Sequence, residues 1–261
     1  MFSQITLFGL EISLYIIMML SGILAFGVYA GITAAKRKYD FMDMAMFFSI
    51  LSIGVIIGSH LLFGLVNYKN TIYVLKNINQ ADTINSLISI FNGRIFYGGL
   101  LGTLILSYIV IKKDNNYIKY IDVIAAGIPL FSFFARIGCF LSGCCYGIQS
   151  KIGFKYHEHT LTENIDITRF PVQLLESLFC LILFFYLNYL LIKDKFKNKL
   201  LYIYLLIYPA GRFFIEYLRG DTTRGIWFFL STSQIISVLI ILSVLFILRI
   251  KVFKPETLVK K

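Results

Sequence analysis

Continuous apolar runs of about 20 residues or more, each long enough to cross a hydrocarbon core about 30 Å thick, constrain this chain more than any other feature. Polar punctuation divides them into seven candidate spans near 5–33, 41–66, 87–111, 120–146, 170–192, 200–219 and 228–250. The runs are continuous rather than alternating, and a lipid-exposed segment must satisfy its own backbone hydrogen bonds, so helices are predicted and a barrel is not. The fold class expected is all-α, a polytopic helical membrane bundle. The first run lacks a short apolar stretch followed by a small-residue cleavage site, so it reads as a retained span. With 58% hydrophobic and 15% charged residues, the 261-residue chain leaves no room for a large soluble domain. No internal repeat, low-complexity tract or dividing linker is present, so residues 1–261 read as one transmembrane domain with longer loops near 67–86 and 147–169.

The formal charge of +11 would suggest nucleic acid in a soluble protein, but in a polytopic chain it speaks first of orientation, and no nucleic-acid partner is expected. Lys36, Arg37 and Lys38 follow the first run, and Lys112, Lys113 and Lys119 the third. Lys193, Lys195, Lys197 and Lys199 follow the fifth, and Arg249, Lys251, Lys254, Lys260 and Lys261 close the chain, making 15 basic residues on one side. Lys69, Lys76, Lys151, Lys155, Arg169, Arg219 and Arg224 make 7 on the other, where Asp82, Glu158, Glu163, Asp166 and Asp221 offset them. The positive-inside rule then puts the N-terminus outside and the C-terminus in the cytoplasm, as an odd number of spans requires. The basic tail reads as a topogenic anchor, with contact to anionic headgroups as the alternative.

Arg94, Arg136 and Arg212 remain, inside or at the edge of apolar runs. A charge at the bilayer centre costs about 2.5–3.5 kcal/mol on insertion scales, so such residues face the bundle interior and meet a counter-charge or an anionic ligand. Tyr208, Arg212, Glu216 and Arg219 recur at helical spacing and are expected to share one face, with Glu216 orienting Arg212. Around Arg94 and Tyr97 the segment GRIFYGGLLG supplies four glycines. They suit either a backbone that cradles an anion or close helix packing through small residues.

The segment ARIGCFLSGCCYG, residues 135–147, sets Arg136 beside Cys139, Cys144 and Cys145. Three readings of the thiols stand: packing at a crowded helix end, a reactive thiolate favoured by Arg136, and a metal site, which adjacent cysteines disfavour for want of a fourth ligand. No metal and no cofactor are expected. His157 and His159 read as residues of a solvated loop, and His60 as a histidine within the second run.

Taken in order, Tyr15, FYGGLLG at 96–102, ARIGCFLSGCCYG at 135–147 and GRFFIEYLRGD at 211–221 resemble the prolipoprotein diacylglyceryl transferase family over most of the chain. FPVQLLE at 170–176 and STSQIIS at 231–237 are weaker matches. The resemblance implies a multi-pass enzyme of the bacterial plasma membrane. It would move the diacylglyceryl group of phosphatidylglycerol to a lipobox cysteine of a lipoprotein precursor and release glycerol 1-phosphate. It implies catalytic roles for Tyr97, Arg136 and Arg212. It further implies a substrate-binding set of Arg136, Arg212, Glu216, Tyr15, Gly98, Gly99, Cys139, Gly147, Tyr208 and Arg219 among membrane lipid. The chain departs from the family pattern at Tyr97, which replaces a histidine, at Cys139 and Cys144, which replace Asn and Glu, and at Phe170 and Leu175, which replace His and Tyr. Those departures keep open a paralogue with a different acceptor and a thiol-based redox membrane protein. A transporter is weakened by the lack of paired broken helices.

Overall fold

A computed structural model describes residues 4–7, 10–66, 68, 72, 76, 96–155, 167–221, 226–227 and 229–253. Among the described residues the principal helices are α1 (Leu14–Arg37), α2 (Phe41–Val66), α3 (Phe96–Lys113), α4 (Ile118–Ser142), α5 (Val172–Ile192), α6 (Leu200–Ile215) and α7 (Thr232–Phe253). Short strands intervene as β1 (Gln4–Leu7), β2 (Leu10–Ser13), β3 (Gln149–Phe154), β4 (Ile226–Trp227) and β5 (Leu230–Ser231). Five helical segments are long and apolar enough to cross a membrane: Leu14–Arg37, Phe41–Leu65, Asn115–Ser142, Val172–Ile192 and Thr232–Arg249. The protein is therefore a mostly helical polytopic membrane protein.

Three expected boundaries need correction. The first span does not begin near residue 5, because β1 and β2 form an antiparallel pair with Gln4 opposite Ser13 and Leu7 opposite Leu10. Ile5 and Leu7 alternate with Gln4 and Thr6, and Leu10 and Ile12 with Glu11 and Ser13, a period of two that suits strands. The fourth run stops being helical at Ser142, short of residue 146, because Gly143 takes a left-handed φ of 72°. The sixth helix ends at Ile215, short of residue 219: a 3₁₀ turn spans Glu216–Leu218, and Arg219 is extended and bridged to Gly147. Residues 87–95 of the third predicted span lie outside the described residues. So do most of the 67–86 loop and, within the 147–169 loop, residues 156–166 with His157 and His159.

The chain divides into two compact units, residues 34–120 and residues 1–33 with 121–261. In the first unit α2 and α3 meet along two glycine pairs, Gly54 and Gly58 against Gly98 and Gly102. A Cβ added at Gly58 would run into the Gly98 carbonyl oxygen, and one at Gly54 would lie 2.9 Å from that of Gly102. Backbones this close require residues without side chains, and spacing by four puts each pair on one helix face. Thr103 Oγ1 donates to the Leu51 carbonyl at 3.4 Å along the same seam. Gly98 and Gly99 thus serve helix packing, one of the two readings their clustering allows.

In the second unit α1 runs antiparallel to α4. A Cβ on Gly22 would sit 3.1 Å from Phe131 and Phe134, and one on Gly138 would sit 3.1 Å from Met18. Tyr29 ties α1 to α5 by donating to Asn188 Oδ1 at 3.1 Å. Asp122 on α4 accepts from the Asn198 and Leu200 amides, the latter at 3.1 Å, and so caps donors that the start of α6 leaves unpaired. Ser231 and Gln234 form a reciprocal capping box on α7: the Gln234 amide donates to Ser231 Oγ at 3.2 Å and the Ser231 amide to Gln234 Oε1 at 2.9 Å.

Candidate active site

Three helices of the second unit each bring charge to one place. Arg136 on α4 meets the carboxylate of Glu176 on α5 at 3.0 Å, and Arg212 on α6 meets the other oxygen of that carboxylate at 2.9 Å. Arg212 also pairs with Glu216 at 2.9 Å, one turn along. Tyr208 donates its hydroxyl to Glu176 at 3.5 Å. The result is a chain, Arg136–Glu176–Arg212–Glu216, in which signs alternate and charges cancel. Cancellation is what makes burial among apolar helices tolerable, since each ion would otherwise carry several kcal/mol of desolvation cost.

The chain has a closed end and an open one. The carboxylates of Glu176 and Glu216 are 2% exposed and Arg212 is 10% exposed, whereas Arg136 is 21% exposed. Among the described residues Glu176 is the single ion-pair partner of Arg136. A guanidinium carries five N–H donors in a planar fork, so donors remain to grip an oxyanion. Glu176 fixes the orientation of that fork before any ligand arrives.

Several expected residues gather here. Tyr15 lies beside the Arg136 helix, where a Cβ on Gly138 would stand 3.3 Å from its ring, and Cys139 follows Arg136 by less than one turn. Tyr208, Arg212 and Glu216 face Glu176 or one another as their spacing predicts. Arg219 does not share that face, because the helix has ended. Its guanidinium instead forks onto Asp221, with Nε to Oδ1 at 3.2 Å and Nη2 to Oδ2 at 2.9 Å. Gly147 lies where three backbone segments cross. Ile148 N–H donates to the Leu218 carbonyl and Phe170 N–H to the Ile148 carbonyl, each at 3.0 Å, and a Cβ on Gly147 would collide with the Phe170 carbonyl oxygen. Gly98 and Gly99 stand in the α2–α3 seam of the other unit. Tyr97 occupies the first turn of α3, with its side chain outside the described residues, and Arg94 lies wholly outside them.

Glu176 is the residue that sequence reasoning missed. The signal is present, since an acid inside an apolar run has to be explained as much as a base does. Sorting the basic residues alone by position passes over it, and the FPVQLLE segment that carries it is a weak match.

The three thiols converge more closely than their sequence positions suggest. Gly143 closes α4 in a Schellman motif: its amide donates to the Phe140 carbonyl at 3.2 Å and the Cys144 amide to that of Cys139 at 3.2 Å. This motif brings the residue after the glycine back over the last turn, so Cys144 returns to Cys139. Cys145 has a left-handed φ of 56°, and all three sulfurs lie within 4.8 Å of one another. The Cys145 thiol is pushed well below the ordinary thiol range, first by hydrogen bonds from Cys139 and Cys144 and then by Arg219 and Arg136, with burial opposing. The same shared hydrogen bonds, from Cys139 first and Cys145 next, push the Cys144 thiol up.

Comparison with known proteins agrees with this architecture. The profile of the family described as prolipoprotein diacylglyceryl transferase matches residues 3–250. A phosphatidylglycerol–prolipoprotein diacylglyceryl transferase of Clostridium tetani is 34% identical over 253 residues, covering 96% of this chain and 97% of that protein. The second such transferase of Clostridium perfringens is 32% identical over 240 residues, with 90% of each chain covered. A relative of the same name from Streptococcus uberis is 32% identical over 234 residues, with 86% of each covered. A match over nearly the whole length, joined to a paired-arginine site in a helical membrane protein, establishes that this chain belongs to the prolipoprotein diacylglyceryl transferase family.

Proposed function

We propose that the protein transfers the diacylglyceryl group of phosphatidylglycerol to the thiol of a lipobox cysteine in a lipoprotein precursor. The thiol sulfur attacks the glyceryl carbon that bears the phosphate. A carbon–sulfur bond forms, the carbon–oxygen bond breaks, and glycerol 1-phosphate departs with the bonding electrons. The observation that carries this reading is the buried Arg136–Glu176–Arg212–Glu216 chain with its open end at Arg136. A phosphodiester in a low-dielectric site needs positive charge that is already fixed, and charge growing on the leaving phosphate is stabilised most by donors that do not have to reorganise. Arg136 and Arg212 would hold the phosphate, and Glu176 and Glu216 would keep the guanidiniums in place. Tyr15, Cys139, Gly147, Tyr208 and Arg219 would line or brace the substrate site, with Gly98 and Gly99 shaping the α3 backbone.

Tyr97 stands where the family pattern has histidine. A phenol with a reference pKa near 10 is a donor rather than a base at pH 7. Its role would be that of a hydrogen-bond donor, while the thiol proton passes to the departing phosphate, which gains a negative charge when the diester becomes a monoester. The orientation that fits is seven spans with the N-terminus outside and the C-terminus in the cytoplasm, forming one transmembrane domain in the bacterial plasma membrane. Fifteen basic residues in the segments after alternate spans and in the tail support it.

The test is reconstitution of the purified protein in phosphatidylglycerol vesicles with a lipobox peptide, followed by mass spectrometry. A thioether-linked diacylglyceryl peptide, with glycerol 1-phosphate in equal amount, is expected. Absence of product with several lipobox peptides would overturn the assignment of acceptor.

A further inference from the structure

The proposed transfer draws on neither Cys144 nor Cys145 and meets Cys139 only in the lining of the site, yet the three are built into one place by two independent backbone devices. The Schellman closure at Gly143 returns Cys144 to Cys139, and the left-handed backbone at Cys145 turns the third sulfur toward the first two. Gln173 then locks the loop by donating its side-chain amide to the Cys144 carbonyl at 2.8 Å. A non-glycine residue at positive φ is uncommon, and it persists where the surrounding structure holds it.

We propose that Cys139, Cys144 and Cys145 form a three-thiolate site for a soft divalent d¹⁰ cation of the zinc class. The sulfurs lie within 4.8 Å of one another. Tetrahedral zinc with sulfur at about 2.3 Å separates its sulfurs by about 3.8 Å, so each would move inward by no more than about 0.6 Å. Adjacent cysteines seldom ligate one ion, because neighbouring side chains in regular structure point apart. Here the pair lies outside the helix, and the left-handed residue removes that objection. Three thiolates around a divalent ion leave one negative charge overall, and the guanidiniums of Arg136 and Arg219 lie within electrostatic reach of Cys145 to offset it. Three protein ligands also leave the fourth tetrahedral position open for water or another small donor. The fourth cysteine, Cys180, is buried in α5 and stands outside this group.

The proposal does not rest on the transfer reaction, and its test reads metal directly. The full-length protein in detergent, reduced, stripped with chelator and kept anaerobic, is titrated with Cd²⁺ as an ultraviolet-active stand-in for zinc. One ion per chain is expected, with a sulfur-to-metal charge-transfer band of three-thiolate intensity that added Zn²⁺ removes. Cys145→Ser should lower the band by about one third and weaken binding, since one of three sulfur ligands is gone. Cys180→Ser should leave both unchanged. Circular dichroism melts of the variants separate lost ligation from lost folding. The proposal is overturned by a wild-type titration without the band, by a full band in Cys145→Ser, or by a disulfide joining two of the three cysteines in the anaerobically isolated protein.

Discussion

At Glu176 a single buried carboxylate faces two guanidiniums, so Glu176→Gln leaves Arg136 without a carboxylate partner among the described residues and Arg212 with Glu216 alone. Removing one partner of a buried pair costs about 3–5 kcal/mol. The variant is expected to lose thermal stability in detergent and to lose transfer activity together; a melt identical to wild type would show the carboxylate to be dispensable for the fold. Arg136 is the more exposed end of the chain, and its truncation should separate the two effects. Arg136→Ala is expected to remain folded while transfer falls by about 10²–10³, the range seen when one preorganised donor to a developing oxyanion is removed. Arg136→Lys should restore little, because a lysine lacks the planar fork. Wild-type rates in Arg136→Ala would remove the arginine site altogether. At Tyr97 the expectation runs in two directions. Tyr97→Phe should slow transfer by about 10-fold or more, as loss of a hydrogen bond to a charged group does. Tyr97→His should be active, since a group with a reference pKa near 6.5 both donates and accepts at neutral pH. Equal rates for tyrosine and phenylalanine would strip the residue of its role.

Among the elements, α2 and α3 depend on what they lack. A side chain at Gly58 would meet the backbone of Gly98, which cannot move aside as a flexible side-chain tip can. Gly58→Leu is therefore expected to prevent close assembly of the 34–120 unit, seen as low yield of folded protein and a lowered melting point. A Gly58→Leu variant as stable as wild type would contradict the seam. The ends of the other helices show a second kind of dependence. The start of α6 is capped by Asp122, far away in sequence, whereas α7 carries its own cap in Ser231 and Gln234. The cap on α7 is legible in a sequence, because the capping box is a local spacing. The cap on α6 is not, because nothing in the spacing of Asp122 and Leu200 announces that they meet. For the same reason the helical repeat of Tyr208, Arg212 and Glu216 is readable, while the end of α6 before Arg219 is set by backbone pairing with the loop after α4.

Across the whole molecule, orientation is the property most open to direct measurement. A single cysteine at exposed Ile152, in a background with the native cysteines replaced, should react with a membrane-impermeant maleimide in intact cells. Single cysteines at Asn116 and Lys197 should react only after the membrane is opened. The reverse pattern would invert the proposed topology. Sequence alone determined that this chain lies in a membrane as helices, because the bilayer offers no partner to a backbone amide and long apolar runs can satisfy themselves in no simpler way. It also singled out Arg136 and Arg212, because a charge in an apolar run stands out against its neighbours. It overextended the first helix, where two four-residue alternations, Gln4–Leu7 and Leu10–Ser13, were absorbed into a longer apolar stretch. Only the tertiary structure decided that Glu176 joins the two arginines, since it and Arg212 stand 36 residues apart on different helices and their pairing leaves no periodic trace. It likewise decided that three thiols share one place, because a left-handed turn at Gly143 and another at Cys145 reverse the directions that their sequence positions imply. Hydropathy and charge act along the chain and can be read there; counter-ions and converging ligands act through space, and packing alone brings them together.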